Sequence, residues 1–351
     1  MRKTLTLAML ATSLLLARAQ AASPAPVEVK VVVVTMFEIG KDEGDEAGEF
    51  QLWKARQKLT TRYPFAHFHD LFFNPKTGVL GVLTGEGTAN SATAVMELGM
   101  DPRFDLTHAY WVVAGIAGVD PADASVGSAA WAEYVVDGDL AHEIDAREMP
   151  KDWTTGRFPL DSKKPYDPGA HPAPGQMFQL DPALVNWAYE LTRNVPIPDS
   201  PSLQKARAIY TGYPNALKPP FVLKGDNLAA MTFWHGKLLN DWANEWVSYW
   251  TKGKGNFVTS AMEDSGTLVA LNYLARTKKV DKDRALVLRT ASNYTMQPPG
   301  LTAAQNMARE NEGYSGMQAS VESAYSVGAK VVDEIVAHWS TYRDHSPAEK
   351  H

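Results

Sequence analysis

Residues 77–100 read TGVLGVLTGEGTANSATAVMELGM. Val79 to Leu83 is a short apolar run of strand-forming residues, Thr84 to Gly87 is a glycine turn, and Asn90 to Leu98 has helical spacing. Strand, glycine turn and helix in this order are the working parts of an α/β fold, whose ligands sit at the carboxyl ends of strands. The same grammar extends in both directions. VEVKVVVVTM (Val27 to Met36) is β-branched with almost no alternation, the pattern of a strand buried on both faces. LTHAYWVVAGIAGVDP (Leu106 to Pro121) reads as another strand running into a small-residue turn at Gly115 and Ile116.

Further along, Asp181 caps a helix reaching about Arg193, and PPFVLKGD gives a short strand ending at Gly225-Asp226. HGKLLNDWANEWVSYW is an amphipathic, Trp-rich helix, DRALVLRTASNY a last core strand, and SVESAYSVGAKVVDEIVAHW a closing helix. Between them, residues 150–174 are rich in Pro, Lys, Asp and Gly and read as a long surface excursion over the site. The expected fold is a single α/β domain of three layers, residues 22–351, with a central mixed sheet flanked by helices.

The chain begins with Arg2 and Lys3, an apolar run from Leu5 to Leu16, and Ala19-Gln20-Ala21. This is the layout of a signal peptide, residues 1–21, cleaved after Ala21, and the run is too short to span a bilayer. The protein is therefore expected to be periplasmic or secreted, with no membrane insertion after cleavage. The absence of cysteine rules out disulfides, thiolate metal sites and a Cys nucleophile. A net charge of −6 gives no electrostatic reason to bind nucleic acid. No metal is expected: His67 and His69 have ligand-like spacing but lack a third partner. No cofactor is expected, and neither a nucleophile elbow nor a P-loop is present.

Four stretches carry chemistry. In FVTSAMEDSGTLVAL, Glu263 and Asp264 stand between a strand-like and a helix-like run, where they serve either as helix caps or as acceptors for a vicinal diol. TFWHGK offers Phe233, His235 and Lys237 to a planar ligand, with core packing as the alternative. LRTASNY ends in polar Ser292 and Asn293 at a strand's carboxyl end, where Asn can read a purine edge or simply form a turn. Glu38 follows the first strand as a loop carboxylate.

These pieces, with TGEGTANSA and VAGIAG, recur in the order seen in nucleoside phosphorylases and nucleosidases. KGDNLAAMTFWHGKLLNDWANEW, AMEDSGTLVAL and LRTASNY resemble the purine nucleoside permease family, over nearly the whole chain after residue 21. The resemblance implies purine nucleosides as ligands. It implies Met262 and Glu263 on the ribose hydroxyls, Phe233 on the base with His235 and Lys237 nearby, and Asn293 at the leaving purine. Glu38 is implied as the group that orients an attacking water. Asp226 and Asp264 are candidates for acid or supporting roles, and Gly85, Gly87, Thr88, Gly115 and Ile116 mark the glycine turns of the site. Phosphate is a candidate co-substrate, but Ile116 replaces a small or hydroxyl residue and no Arg stands in or beside TGEGTANSA, which tilts the expectation toward hydrolysis. A non-catalytic nucleoside-binding component serving a separate transporter, and a phosphorylase, remain as alternatives. Assembly into a homo-oligomer is also compatible with the resemblance.

Overall fold

The β-branched run becomes two strands, β1 (Val27–Glu28) and β2 (Val31–Thr35), and all five residues of β2 are buried. The computed structural model describes residues 25–310 and 316–349, so the expected signal peptide lies outside the described residues. After α1 (Gln51–Arg56) come β3 (Thr61–Tyr63), β4 (Leu71–Asn74), β5 (Val79–Leu83) and α2 (Thr88–Met100). Next are β6 (Phe104–Asp105), the long β7 (Tyr110–Val119), β8 (Ala129–Ala132) and β9 (Tyr134–Asp137). The Pro-rich excursion carries the short β10 (His142–Glu143) and β11 (Arg157–Phe158), then β12 (Met177–Gln179). The second half runs α3 (Pro182–Thr192), α4 (Pro201–Arg207), β13 (Val222–Lys224), β14 (Asp226–Ala229) and α5 (Lys237–Trp250). It continues with β15 (Phe257–Ala261), α6 (Asp264–Arg276), β16 (Ala285–Tyr294), α7 (Ala303–Glu310), α8 (Met317–Ala337) and α9 (Trp339–Tyr342).

Twelve strands form one mixed sheet in the order β12-β9-β14-β15-β7-β2-β5-β4-β3, with β16, β8 and β13 branching from β7. β2 is parallel to β5 and β7, β16 is parallel to β7, and β15 meets β7 antiparallel. Helices flank this sheet, making one α/β domain. The central strands are apolar because both faces are covered, and each buried Val contributes about 1.5–3 kcal/mol relative to exposure. α8 buries Val321, Ala324, Val327, Gly328, Val331, Val332 and Ile335 at helical spacing, and it packs along β16 and β7.

Two local expectations change. The stretch Gly115–Gly118 lies inside β7 and is not a turn. Its small residues answer a space requirement: a Cβ on Gly115 would stand 2.0 Å from Met36 Cε and 2.6 Å from both Arg289 Nη1 and Glu49 Oε1. The short strand expected over PPFVLKGD is β13, which stops at Lys224, and Asp226, expected at its end, begins β14 instead. The Pro-rich excursion is fastened to the Trp-rich face of α5. The Tyr166 ring meets Tyr249 edge-on at 5.7 Å, and the Arg157 guanidinium stacks 4.5 Å over Trp242.

Candidate functional site

A gap in the sheet creates the site. β2 stays with β7 as far as the Val34–Val113 pair, and β15 reaches β7 only at Gly118. Among the described residues no strand lies beside the edge of β7 between those points on that side, and its backbone groups need partners. Glu49 fills part of this need. Met36 N donates to Glu49 Oε2 at 2.7 Å, and Ile116 N donates to Oε1 at 2.7 Å. One carboxyl thus bridges the end of β2 to the edge of β7 where the two strands have separated. Burial pushes the Glu49 pKa up to about 8, against the attraction of Arg289 and with the repulsion of Glu263.

Glu263 lies on the opposite wall. It occupies the cap position of α6 but its side chain makes no capping bond. Gly87 N donates to Oε1 at 3.1 Å, and Met262 N (3.2 Å) and Arg289 Nη2 (3.0 Å) donate to Oε2. Close packing of α2 on α6 makes this possible. A Cβ on Gly266 would stand 2.2 Å from Thr88 O, so glycine there lets the two helix starts meet. Thr88 Oγ1 then donates to Met262 O at 3.0 Å and Ser91 Oγ to Glu263 O at 2.8 Å. The positive ends of both helix dipoles favour a carboxylate in this position. Gly87, at φ 90°, occupies the left-handed region that a side chain would strain. Burial raises the Glu263 pKa, which Arg289 opposes.

Arg289 ties the walls together from the middle of β16. It is 1% exposed, and its Nε and Nη2 donate to Asp264 Oδ1 at 3.1 and 2.7 Å while Nη1 donates to Ile116 O at 3.0 Å. Asn227 Nδ2 also donates to Asp264 Oδ2. Asp264 is therefore the buried counter-ion of Arg289. Burial works against the guanidinium charge, and Asp264 and Glu263 more than restore it, so its pKa is raised.

The remaining expected residues cluster on residues 233–237 and around the end of β16, with Met231, which was not expected, beside them. Met231 and Phe233 are about half exposed, and the Met231 methyl overhangs Gly87. Lys237 begins α5 and is paired with Asp241 at 2.7 Å on the surface. His235 is turned inward: its side chain is 1% exposed and burial lowers its pKa. Its Nε2 lies 3.2 Å from Asn306 Nδ2, which donates to Glu310 Oε1 at 2.9 Å. Asn293 receives the Ser292 hydroxyl on Oδ1 at 2.9 Å and donates from Nδ2 to Tyr294 O at 3.3 Å.

Two expected residues stand elsewhere. Asp226 is at the amino end of β14, where Glu133 N, Tyr134 N and Asn256 N donate to it, so it organises the far end of the sheet. Burial nonetheless raises its pKa to about 6. Glu38 accepts from Ile39 N (2.9 Å), Gly48 N, Phe50 N (3.1 Å) and Gln51 N, which makes it the organiser of the entry to α1. Sequence reasoning missed Glu49, Arg289 and Glu310. A lone Arg inside ALVLRTAS was a usable signal, because an Arg in a buried strand requires carboxylate partners. Of the two His in HFHD, His67 contacts Glu97 and His69 contacts Asp42.

The model of the purine nucleoside permease family matches residues 28–347. The chain belongs to that family. Among curated members, a Schizosaccharomyces pombe protein named "Probable purine nucleoside permease" is 28% identical over 291 residues, 80% of this chain and 81% of that one. The Candida albicans purine nucleoside permease is 28% identical over 313 residues, 88% of this chain and 75% of that one. Solved structures of similar fold include futalosine hydrolase of Helicobacter pylori, with a TM-score of 0.51 and 14% identity over 87% of this chain and 98% of that one. Another is 5′-methylthioadenosine/S-adenosylhomocysteine nucleosidase of the same organism, with a TM-score of 0.51 and 13% identity over 88% and 99%. This permease-family chain therefore shares the nucleoside phosphorylase/nucleosidase fold. Among its described residues, no helix is long and apolar enough to cross a membrane.

Proposed function

We propose that this protein binds purine nucleosides and cleaves their N-glycosidic bond with water. The observation that carries the reading is Glu49, a buried carboxyl suspended in the gap of the sheet within the electrostatic reach of Arg289 and Glu263. Glu263 accepts three hydrogen bonds from the protein, and since an ionised carboxylate accepts at about four sites it retains about one for the ribose 2′/3′ diol. Phe233 and Met231 border the base, and Asn293 hydrogen-bonds its edge. As the C1′–N9 bond lengthens, the electron pair moves to the purine and positive charge develops on the sugar, which nearby carboxylates stabilise. Water adds to C1′ and gives its proton to Glu49, which a pKa near 8 makes an effective base. Asp264 acts through Arg289 and Glu263 as a positioning residue. The names of the relatives support a purine nucleoside as ligand.

Hydrolysis is preferred to phosphorolysis because Arg289, the cation of this cluster, is already bridged by Glu263 and Asp264. Ile116 also offers a hydrocarbon side chain where a phosphate would need a donor. The decisive experiment incubates the protein with inosine, guanosine and adenosine, with and without phosphate. Free base and free ribose at a rate indifferent to phosphate are expected. Strict dependence on phosphate would make the protein a phosphorylase. Tight binding without release of base would favour the second reading, a nucleoside-binding component of uptake, which the word permease in its relatives' names supports. Export follows from the basic start, apolar run and Ala19-Gln20-Ala21. Fractionation should find a chain starting near Ala22 in periplasm or medium, and an integral membrane form would overturn this.

A further inference from the structure

The proposed function puts Asn293 at the edge of the leaving purine, yet an amide has no proton of suitable acidity to give. The cluster around it contains one. Glu310, the last residue of α7, brings a largely buried carboxyl to Asn306, His235 and Asn293. Its Oε1 accepts from Asn306 Nδ2, whereas its Oε2 is buried and has no hydrogen-bond partner among the described residues. Opposite it, 3.9 Å away, His235 Nδ1 is likewise buried and unpartnered. Two orphaned polar atoms facing each other beside Asn293 form an arrangement that a polar ligand edge would complete. We propose that Glu310 is the proton donor to the departing base, with Asn293 and Asn306 holding its carboxyl in place.

The inference rests on the hydrolytic reading above. In the step, the C1′–N9 pair passes to the purine and the proton on Glu310 Oε2 transfers to a base nitrogen, N7. Glu310 is left as a carboxylate and recovers a proton from solvent after the base departs. Charges facing it bear on whether it holds that proton at neutral pH. Burial pushes its pKa up to about 7, opposed by the neighbouring amides of Asn306 and Asn293 and by Arg309 on its own helix. His235 faces it from the segment before α5, and burial lowers its pKa, which disfavours a cation that would strip the proton. Tyr210, whose own pKa is raised by burial, faces it from the segment after α4.

The test uses two substrates on the full chain. Inosine needs its base protonated, whereas p-nitrophenyl β-D-riboside carries a leaving group that departs without help. Glu310→Gln should lower kcat/KM for inosine on the order of 10²-fold, the usual scale for a lost general acid, and lose far less on the nitrophenyl riboside. The wild-type inosine profile should fall on the alkaline side, and that limb should be absent with the nitrophenyl riboside and from Glu310→Gln. Glu310→Asp should recover part of the inosine rate. Equal losses on both substrates, or the same alkaline limb with both, would overturn the proposal in favour of a packing role. A loss confined to one purine with an unchanged pH profile would also overturn it, making Glu310 a base-selecting residue. If wild type releases no base from any nucleoside and leaves the nitrophenyl riboside intact, the hydrolytic reading itself has failed. If wild type is active and Glu310→Gln matches it on inosine, only this inference has failed.

Discussion

Arg289 Nη2 donates to Glu263 Oε2 across 3.0 Å, and their side chains are 2% and 6% exposed. The guanidinium thus orients the Glu263 carboxylate. It is also the neutraliser of Asp264, buried beneath it. Removing it would leave two carboxyls in the protein interior without a counter-ion. Arg289→Met should destabilise the fold by roughly 3–5 kcal/mol, the scale for breaking a buried pair from one side. Urea unfolding followed by tryptophan fluorescence measures it. A change within about 0.5 kcal/mol, the range of an ordinary surface substitution, would show that the ion cluster is not as enclosed as its geometry indicates.

Glu263→Ala should abolish the preference for ribonucleosides over 2′-deoxynucleosides. Wild-type protein is expected to bind inosine more tightly than 2′-deoxyinosine, and calorimetric titration of both gives the ratio. An unaltered ratio in the variant would return Glu263 to a role inside the protein only.

Glu49 and Glu38 should separate cleanly. Glu49→Gln is expected to slow base release on the order of 10²–10⁴-fold while nucleoside affinity is kept, because shape stays and the base is lost. Glu38→Gln should leave the rate per folded molecule close to wild type. It should lower stability by about 1–3 kcal/mol, the cost of weakening a carboxylate that satisfies backbone donors. Single-turnover rates beside thermal melts decide the matter, and the reverse pattern would restore Glu38 as the group that works on water.

The pH dependence of stability has a definite sign. Burial raises the Glu49 pKa from 4.5 to about 8, so the native state holds a proton that the unfolded chain releases. Its stabilising contribution is complete below about pH 4.5 and is lost as pH rises through about 8. Urea midpoints should therefore fall between about pH 5 and about pH 9, and Glu49→Gln should flatten that fall. In its proposed role Glu49 should make activity run the other way, since only the deprotonated form accepts a proton from water.

Much of this was legible from residues 77–100, because a strand, a glycine turn and a helix are local in sequence and their burial is encoded in composition. The run from Val31 to Thr35 and the Trp-rich α5 were equally readable for the same reason. Glu263 could be picked out since a carboxylate between two apolar runs invites explanation. What the sequence hid was non-local. Gly115 looks like a turn residue, yet it is a strand residue made small by Met36, Glu49 and Arg289, which arrive from other parts of the chain. Glu49 is one of several acids between Lys41 and Glu49, and nothing in the pattern distinguishes the one that meets Ile116 N.

Glu49 N donates to Phe37 O at 3.0 Å, and the Glu38 carboxylate receives Gly48 N, so the excursion between them is tied off at its neck. Residues 39–47 are consequently a spacer whose length is uncoupled from the position of the carboxyl beyond it. An insertion or deletion there should leave the group in place, so the interval between the first strand and this acid is expected to vary among relatives. Alignments anchored on the strand end would then pair unlike residues; anchoring on the α1 entry would not.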